Sequence, residues 1–298
     1  MSSEENTRNT RKSGIDRANL KGKLMSRVRR IPAYVILGAW SLFTVFVILW
    51  IIMTSLKTNQ ELYASVWSLP SVPRFDNYVK AWQTVKMGQY FLNSVLVVGI
   101  SVLAVVLVSA PASYVLSRVK FRGSGLLTTI FTAGIGIPIP LLFIPLFVIL
   151  STIKLLDTLP GLILVYISTS IPFTVYLLTG FFASLPPELE DAAIIDGCTD
   201  FEVFWRVMFP LASPGLLTAA IFNFILLWNE YQLALVFISK PENRTLSLGL
   251  YSLQNAMQFT SDWVGLMAGV AIVMLPTIIL YIFLSEKMIS GITMGAVK

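Results

Sequence analysis

The sequence predicts an all-α integral membrane protein. It has six transmembrane helices, both termini on the cytoplasmic side, and a helix-turn-helix loop between the fourth and fifth helices. Three observations predict this. Of 298 residues, 55% are apolar and only 13% are charged, against about 25% charged in a soluble domain. Six apolar runs reach the roughly 20 residues that a helix needs to cross the hydrocarbon core. Lys and Arg are divided unevenly between the segments joining those runs, as the positive-inside rule requires. Backbone groups in lipid must be satisfied within the chain, so the runs are helices rather than strands.

Residues 1–31 come first: polar, poor in aromatics, and carrying nine Lys/Arg before residue 31. They predict a disordered basic cytoplasmic tail. The apolar run after Arg30 is too long for the core of a cleavable signal peptide, and no small-residue cleavage site follows it. The runs then fall at about 32–54, 91–116, 126–149, 160–183, 211–237 and 263–284, within a membrane body of 32–289. A short tail, 290–298, closes the sequence. With the N-terminus inside, the inner segments hold fifteen Lys/Arg and the outer loops seven. The net charge of +6 is this topological bias, not an affinity for nucleic acid.

The third run contains Pro138, Pro140 and Pro145. Each removes an intrahelical hydrogen bond and crowds the preceding turn, so this run is predicted to kink or unwind. Such a break suits a moving, pathway-lining helix or a static kink packed in protein. There is no His, which removes the commonest metal ligand and general base. The single Cys198 cannot form an internal disulfide, and no Cys/His metal spacing exists. Metal, thiol and Ser-His-Asp chemistry are therefore not expected of this chain, and no metal site or catalytic residue is assigned.

The loop between the fourth and fifth runs, residues 184–214, is the one charged island. Six of the sixteen carboxylates lie there (Glu188, Glu190, Asp191, Asp196, Asp200 and Glu202), with Arg206 the only cation. Pro187 suits the start of a helix, and the acidic residues after it suit the positive helix end. Gly197 suits the left-handed residue that stops a helix. Thr199 with Glu202 is a capping-box pattern for a second helix. Phe201, Phe204, Trp205 and Met208 recur at helical spacing as an apolar stripe. After four crossings from an inner N-terminus the island lies in the cytoplasm. Its acidity opposes simple adsorption to an anionic inner leaflet and favours a protein partner with a groove and basic groups.

Asp191-Ala192-Ala193, Gly197 four residues on, and Val207-Met208-Phe209-Pro210 resemble the EAA motif of ABC-importer membrane subunits. Asp, Val and Phe stand where that motif has Glu, Ile and Leu. Further pieces are similar to the carbohydrate branch, the family of the maltose permease's smaller membrane subunit. These are Thr54-Ser55-Leu56-Lys57, Asn77-Tyr78, Asn93-Ser94, Leu155-Leu156-Asp157-Thr158-Leu159, Ile171-Pro172-Phe173, Trp228-Asn229-Glu230-Tyr231 and the tail Ser290-Gly291-Ile292-Thr293-Met294-Gly295-Ala296-Val297-Lys298. The resemblance spans about residues 32–298.

The resemblance implies a sugar importer's permease subunit in a bacterial or archaeal cell membrane, forming half of the pathway. It implies a second, homologous permease subunit, two cytoplasmic ATPases and an extracytoplasmic sugar-binding protein docking on loops 55–90 and 239–262. ATPase coupling falls to Glu190, Asp191, Ala192, Ala193, Asp196, Gly197, Phe201 and Pro210. No G-x-x-x-x-G-K-[ST] loop is present, so ATP and Mg are expected on the partner ATPases and no cofactor on this chain. Asn93, Asn223, Asn229, Glu230, Tyr231 and Gln232 are the candidate substrate pathway. Glu230 is the only ionisable residue clearly inside a run. Charge there costs about 2.5–3.5 kcal/mol, so it either meets sugar hydroxyls or makes an interhelical hydrogen bond. Trp228 and Tyr231 are placed to stack on a sugar or to sit in the interfacial aromatic belt. Two other classes remain: a permease for a non-sugar solute, and an ion-coupled secondary transporter with Glu230 as its one intramembrane acid.

Overall fold

The computed structural model describes the backbone of residues 31–84 and 86–296, and the side chains of these except 84, 257–259 and 285–296. Of the basic tail predicted at residues 1–31 only Ile31 is described, as the start of a helix; residues 1–30 and the last two residues of the C-terminal tail lie outside the described residues. Among the described residues every regular element is helical. Four helices are long and apolar enough to cross a membrane: α1 (Ile31–Ser55), α4 (Met87–Arg118), α7 (Leu159–Ser184) and the first part of α14 (Trp263–Leu284). Helix α14 itself runs on to Ala296. Two bent pairs bring the total to six if each is one span.

The chain divides into Met1–Thr54 and Ser55–Lys298. In the first, α1 is an uninterrupted helix with no charge after Arg30. In the second, the main pairing is α4 along α7. The buried face of α4 carries Ser94, Ser101, Ser109, Ala110 and Ser113, small residues that let two backbones approach closely. Ser113 Oγ donates to Ser109 O at 2.7 Å and to Val175 O of α7 at 3.2 Å. Helix α11 (Ser213–Trp228) packs on α7, α4 and α14. Its Gly215 is required: a Cβ there would lie 2.3 Å from the Phe181 ring.

The third run is not one helix. Helix α5 (Ser124–Ile135) stops, and a 3-10 turn (Ile139–Leu142) leads into α6 (Phe143–Thr152), the two halves bent by 104°. Pro138 sits extended before the turn. Pro145 falls in the first turn of α6, where a missing N–H costs nothing. The fifth run is also broken. Helix α11 ends at Trp228, residues 229–231 are irregular, and α12 (Gln232–Phe237) follows.

Two cores form. One surrounds the Met87 end of α4 and includes Tyr90, Tyr166, Trp228, Phe237 and Leu246. The other surrounds the end near Arg118 and includes Phe182, Ala193, Val203, Phe204, Met208 and Leu216.

Segment 55–84 is built, not loose. Lys57 is fully buried; its Nζ donates to Ser65 O (3.2 Å) and Val66 O (3.0 Å), just past the end of α2 (Asn59–Ala64). Asn77 of α3 (Asp76–Thr84) donates to Ser55 O and Lys57 O, both at 2.8 Å. Tyr78 and Ser55 share a hydroxyl hydrogen bond of 2.6 Å. Two of the sequence pieces that carry the resemblance therefore meet.

Thr58 and Glu61 close a capping box on α2, and Glu61 also accepts from Ser71 N at 3.0 Å. The Ser71 and Thr58 hydrogen bonds hold the Glu61 carboxyl down from 4.5 to about 2. A depressed folded value stabilises this segment fully above pH 4.5, and that contribution is lost as pH falls from there toward 2. Hydrogen exchange in residues 58–71, corrected for intrinsic rate, should be flat from pH 7 to 5 and rise below about 4. Glu61→Gln should remove the dependence; equal protection at pH 6 and 3 in the parent chain would refute it.

Candidate functional site

The island folds as the local signals dictate. Helix α8 (Glu188–Ile195) carries its three acids in the first turn. Gly197 is left-handed, with φ +86°. Its N–H reaches Ile194 O, and Cys198 N reaches Ala193 O, both at 3.0 Å. This pair is a Schellman motif, which closes a helix on a left-handed residue. Thr199 then caps α9 (Asp200–Glu202), its hydroxyl accepting from Glu202 N while the Glu202 side chain returns to Thr199. The Thr199 N–H and hydroxyl, and then Arg206, hold the Glu202 carboxyl below the usual range. A π-helical stretch (Val203–Met208) and α10 (Phe209–Leu211) lead through a 70° bend into α11.

The π stretch splits the expected apolar stripe. Phe204 and Met208 are buried, whereas Phe201 is 72% and Trp205 38% exposed. The coupling set divides in the same way. Asp191, Ala192, Asp196, Gly197, Phe201 and Pro210 are exposed. Ala193 is buried in the second core. Glu190 turns inward and pairs with Arg118 of α4 at 3.5 Å, so neither side chain lies on the free face. Sequence reasoning missed Ile195, which is 85% exposed beside Asp196; an unshielded large apolar residue in an acidic segment was the available signal. It also counted Arg118 only as a topological charge.

The substrate-pathway candidates are not brought together as one polar surface. Asn223 is buried, donating to Thr174 Oγ1 (2.9 Å) and Ala219 O (2.8 Å), so it ties α11 to α7. Asn93 donates to Glu242 O and Arg244 O, and its neighbour Ser94 accepts from Leu246 N. Together they hold the segment before α13 (Leu246–Thr260) against α4. Glu230 lies in the break, not within a helix. Its Oε1 accepts from Leu233 N (2.7 Å) and its Oε2 from Ala234 N (3.2 Å) and Tyr166 hydroxyl (2.8 Å). Of its two readings, the hydrogen bond between elements is the one seen. Trp228 is buried and donates to Val273 O, so it cannot stack on a solute here. Asn229, Tyr231 and Gln232 are exposed. Tyr231 stacks on Tyr251 at 6.0 Å, a partner the sequence did not indicate.

Asp157 explains another piece of the resemblance. Its carboxylate accepts from Ser239 N and Lys240 N at 2.9 Å each, and its carbonyl from Asn243. It thereby pins the 239–244 segment to the start of α7, where Thr158 is the N-cap.

Comparison with known proteins places these features in context. Residues 107–289 match the family model described as binding-protein-dependent transport system inner membrane component. A diacetylchitobiose uptake system permease protein of Streptomyces coelicolor is 36% identical over 272 residues, covering 91% of this chain and 90% of the relative. A trehalose transport system permease protein of Mycobacterium tuberculosis is 34% identical, covering 84% and 91%. A probable starch degradation products transport system permease protein of Thermoanaerobacterium thermosulfurigenes is 33% identical, covering 83% and 89%. Among solved structures, a bacterial ABC transporter that imports the polysaccharide alginate aligns with a TM-score of 0.73 at 24% identity, over 87% of this chain and 96% of that one. That likeness shows a shared fold.

Proposed function

The chain belongs to the binding-protein-dependent transport system inner membrane components, and on that premise we propose how it works as the permease subunit of an ATP-driven sugar importer. It is a multi-pass membrane transport subunit, not an enzyme. The carbohydrate class follows from relatives that take up diacetylchitobiose, trehalose and starch products.

The observation that carries the mechanism is the two-sided island. One side, Ala193, Phe204 and Met208, is locked into the chain's own core. The other presents Asp191, Ala192, Ile195, Asp196 and Phe201 around a rigid left-handed turn. A mixed acidic and apolar surface on a firmly held base suits a protein groove that supplies basic and apolar contacts. We assign that groove to a cytoplasmic ATPase, which binds the ATP and Mg that this chain has no sequence motif to hold.

The four long helices, the bent third run and the fifth run formed by α11 and α12 make six spans with both termini inside, as the Lys/Arg asymmetry supports, and a second permease subunit supplies the other half of the pathway. ATP binding favours one global state, so the island moves and the pathway switches which side it faces. The built segments 55–84 and 239–262 offer the outer surface for a sugar-binding protein. Exposed Asn229, Tyr231 and Gln232 remain the substrate-facing candidates, and the break at Pro138 suits a pathway element.

Asp191→Lys reverses charge on the free face without touching the core. In the complex purified from membranes, the ATPase subunits should be lost and ATP-dependent uptake should fall at least about tenfold, since a like charge across an interface costs several kcal/mol. Retention of both ATPase and uptake would overturn the docking assignment.

A further inference from the structure

Helix α4 ends at Arg118, and that last side chain reaches three places. Its Nε donates to Phe182 O at 3.0 Å, and its Nη2 donates to Leu185 O. These carbonyls lie at the end of α7, where the Leu185 N–H also reaches Phe182 O and a cation is favoured. The same Nε lies 3.5 Å from Glu190 Oε1 in α8. The two side chains are only 11% and 18% exposed. One turn back on the same face of α4, the Tyr114 ring packs on Phe182 of α7 (5.7 Å) and on Phe204 of the π stretch (5.1 Å). Two residues at the end of one span thus grip the end of a second span and both halves of the island.

Stability alone is a weak reason for such an arrangement. A pair shaded from water recovers little more than its desolvation cost, and apolar packing would stabilise as well. What a guanidinium adds is direction. Its planar donors fix the two α7 carbonyls at set angles, and its charge holds the Glu190 carboxylate of α8 at the same point, so α8 cannot shift against α4 without separating that pair.

We propose that Arg118 is the positioning residue that makes α4 and α7 move as one body with the coupling island, so that displacement of α8 reaches two spans through one side chain. This rests on the coupling function of the island proposed above. The other links between island and spans include the chain connections at its two ends, undirected apolar contacts, which tolerate sliding, and a hydrogen bond between Tyr114 and Glu190. The Tyr114 ring meets α7 by packing alone.

The test uses the complete importer, purified with its partner subunits freed of cysteine. Cys198 is this chain's one cysteine, and it sits on the island. Spin labels on Cys198 and on Leu103→Cys, an exposed position of α4, report the island-to-span distance with and without Mg-ATP and vanadate. In the parent chain the distance should be the same in both states. In Arg118→Met/Glu190→Met, which leaves no unpaired buried charge, it should shift or broaden when nucleotide binds, with ATPase subunits still present. Arg118→Lys keeps one charged donor and should fall between the two. An unchanged distance in the double variant overturns the proposal, as does loss of the ATPase subunits from it, which would make Arg118 merely structural. Retention of ATPase by Asp191→Lys would instead overturn the docking site itself, so the two failures are told apart.

Discussion

ATP-dependent uptake falls to background when Gly197 is replaced by proline, while the chain still inserts in the membrane. Gly197 holds φ at +86°, and proline is locked near −65°. The substitution also removes the N–H that Gly197 gives to Ile194 O. Both losses fall on the turn that sets α8 against α9, outside the spans. A proline forced into an incompatible position costs about 3 kcal/mol or more, which is a factor of more than about 100 in the population of the docking geometry. Gly197→Ala isolates one component. A Cβ there would meet no atom within 4 Å, so alanine brings only the left-handed strain of about 1–2 kcal/mol and should retain measurable uptake. The comparison is made by transport assay, with membrane insertion checked by fractionation. Equal uptake by the proline variant and the parent would remove the island from the mechanism.

Much of the island was legible because its signals are local. A left-handed glycine, a Thr-x-x-Glu box and clustered acids act within four residues of themselves, and each appears where the sequence implies. What was not legible depends on distant residues. Helix α8 has only eight residues, and its own pattern cannot say which side faces the spans. That is decided by Arg118, which pairs with Glu190 from α4, and by the core of Phe182 and Phe204 that Ala193 joins, so Glu190 and Ala193 turn inward although they belong to the same coupling set as Asp191 and Ala192. The stripe through Phe201, Phe204, Trp205 and Met208 assumed 3.6 residues per turn; the π stretch changes that period, and Phe201 with Trp205 swings out.

The spans show the same division. Pro138 marked a break in the third run, but its size, 104°, comes from packing. In the fifth run no Pro or Gly marks the break at residues 229–231, since hydropathy alone reads through it. The resemblance pieces at 54–57 and 77–78 had no assigned purpose in the sequence. Ser55, Lys57, Asn77 and Tyr78 become intelligible only when they are seen bonded to one another.

Glu230→Ala should be the most damaging change among the substrate-pathway candidates, through folding rather than sugar recognition. The carboxylate receives three hydrogen bonds, two from the first turn of α12 and one from Tyr166. Tyr166 is fully buried, so truncation leaves its hydroxyl without the acceptor it has here. A stranded buried donor costs about 1–3 kcal/mol, and loss of a helix cap about 0.5–2 kcal/mol more. The sum, about 1.5–5 kcal/mol, is a large share of a stability reserve of roughly 5–15 kcal/mol, so the alanine variant should show a clearly lower unfolding temperature in detergent and less assembled complex. Glu230→Gln keeps one acceptor oxygen of similar placement and should lie nearer the parent in stability and uptake. A direct sugar contact predicts the opposite order of readouts: normal unfolding temperature in both variants, with weakened sugar affinity in each. The geometry favours the first pattern because the Glu230 atoms that would greet a sugar hydroxyl already hold α12 in place, whereas Asn229, Tyr231 and Gln232 beside them are exposed.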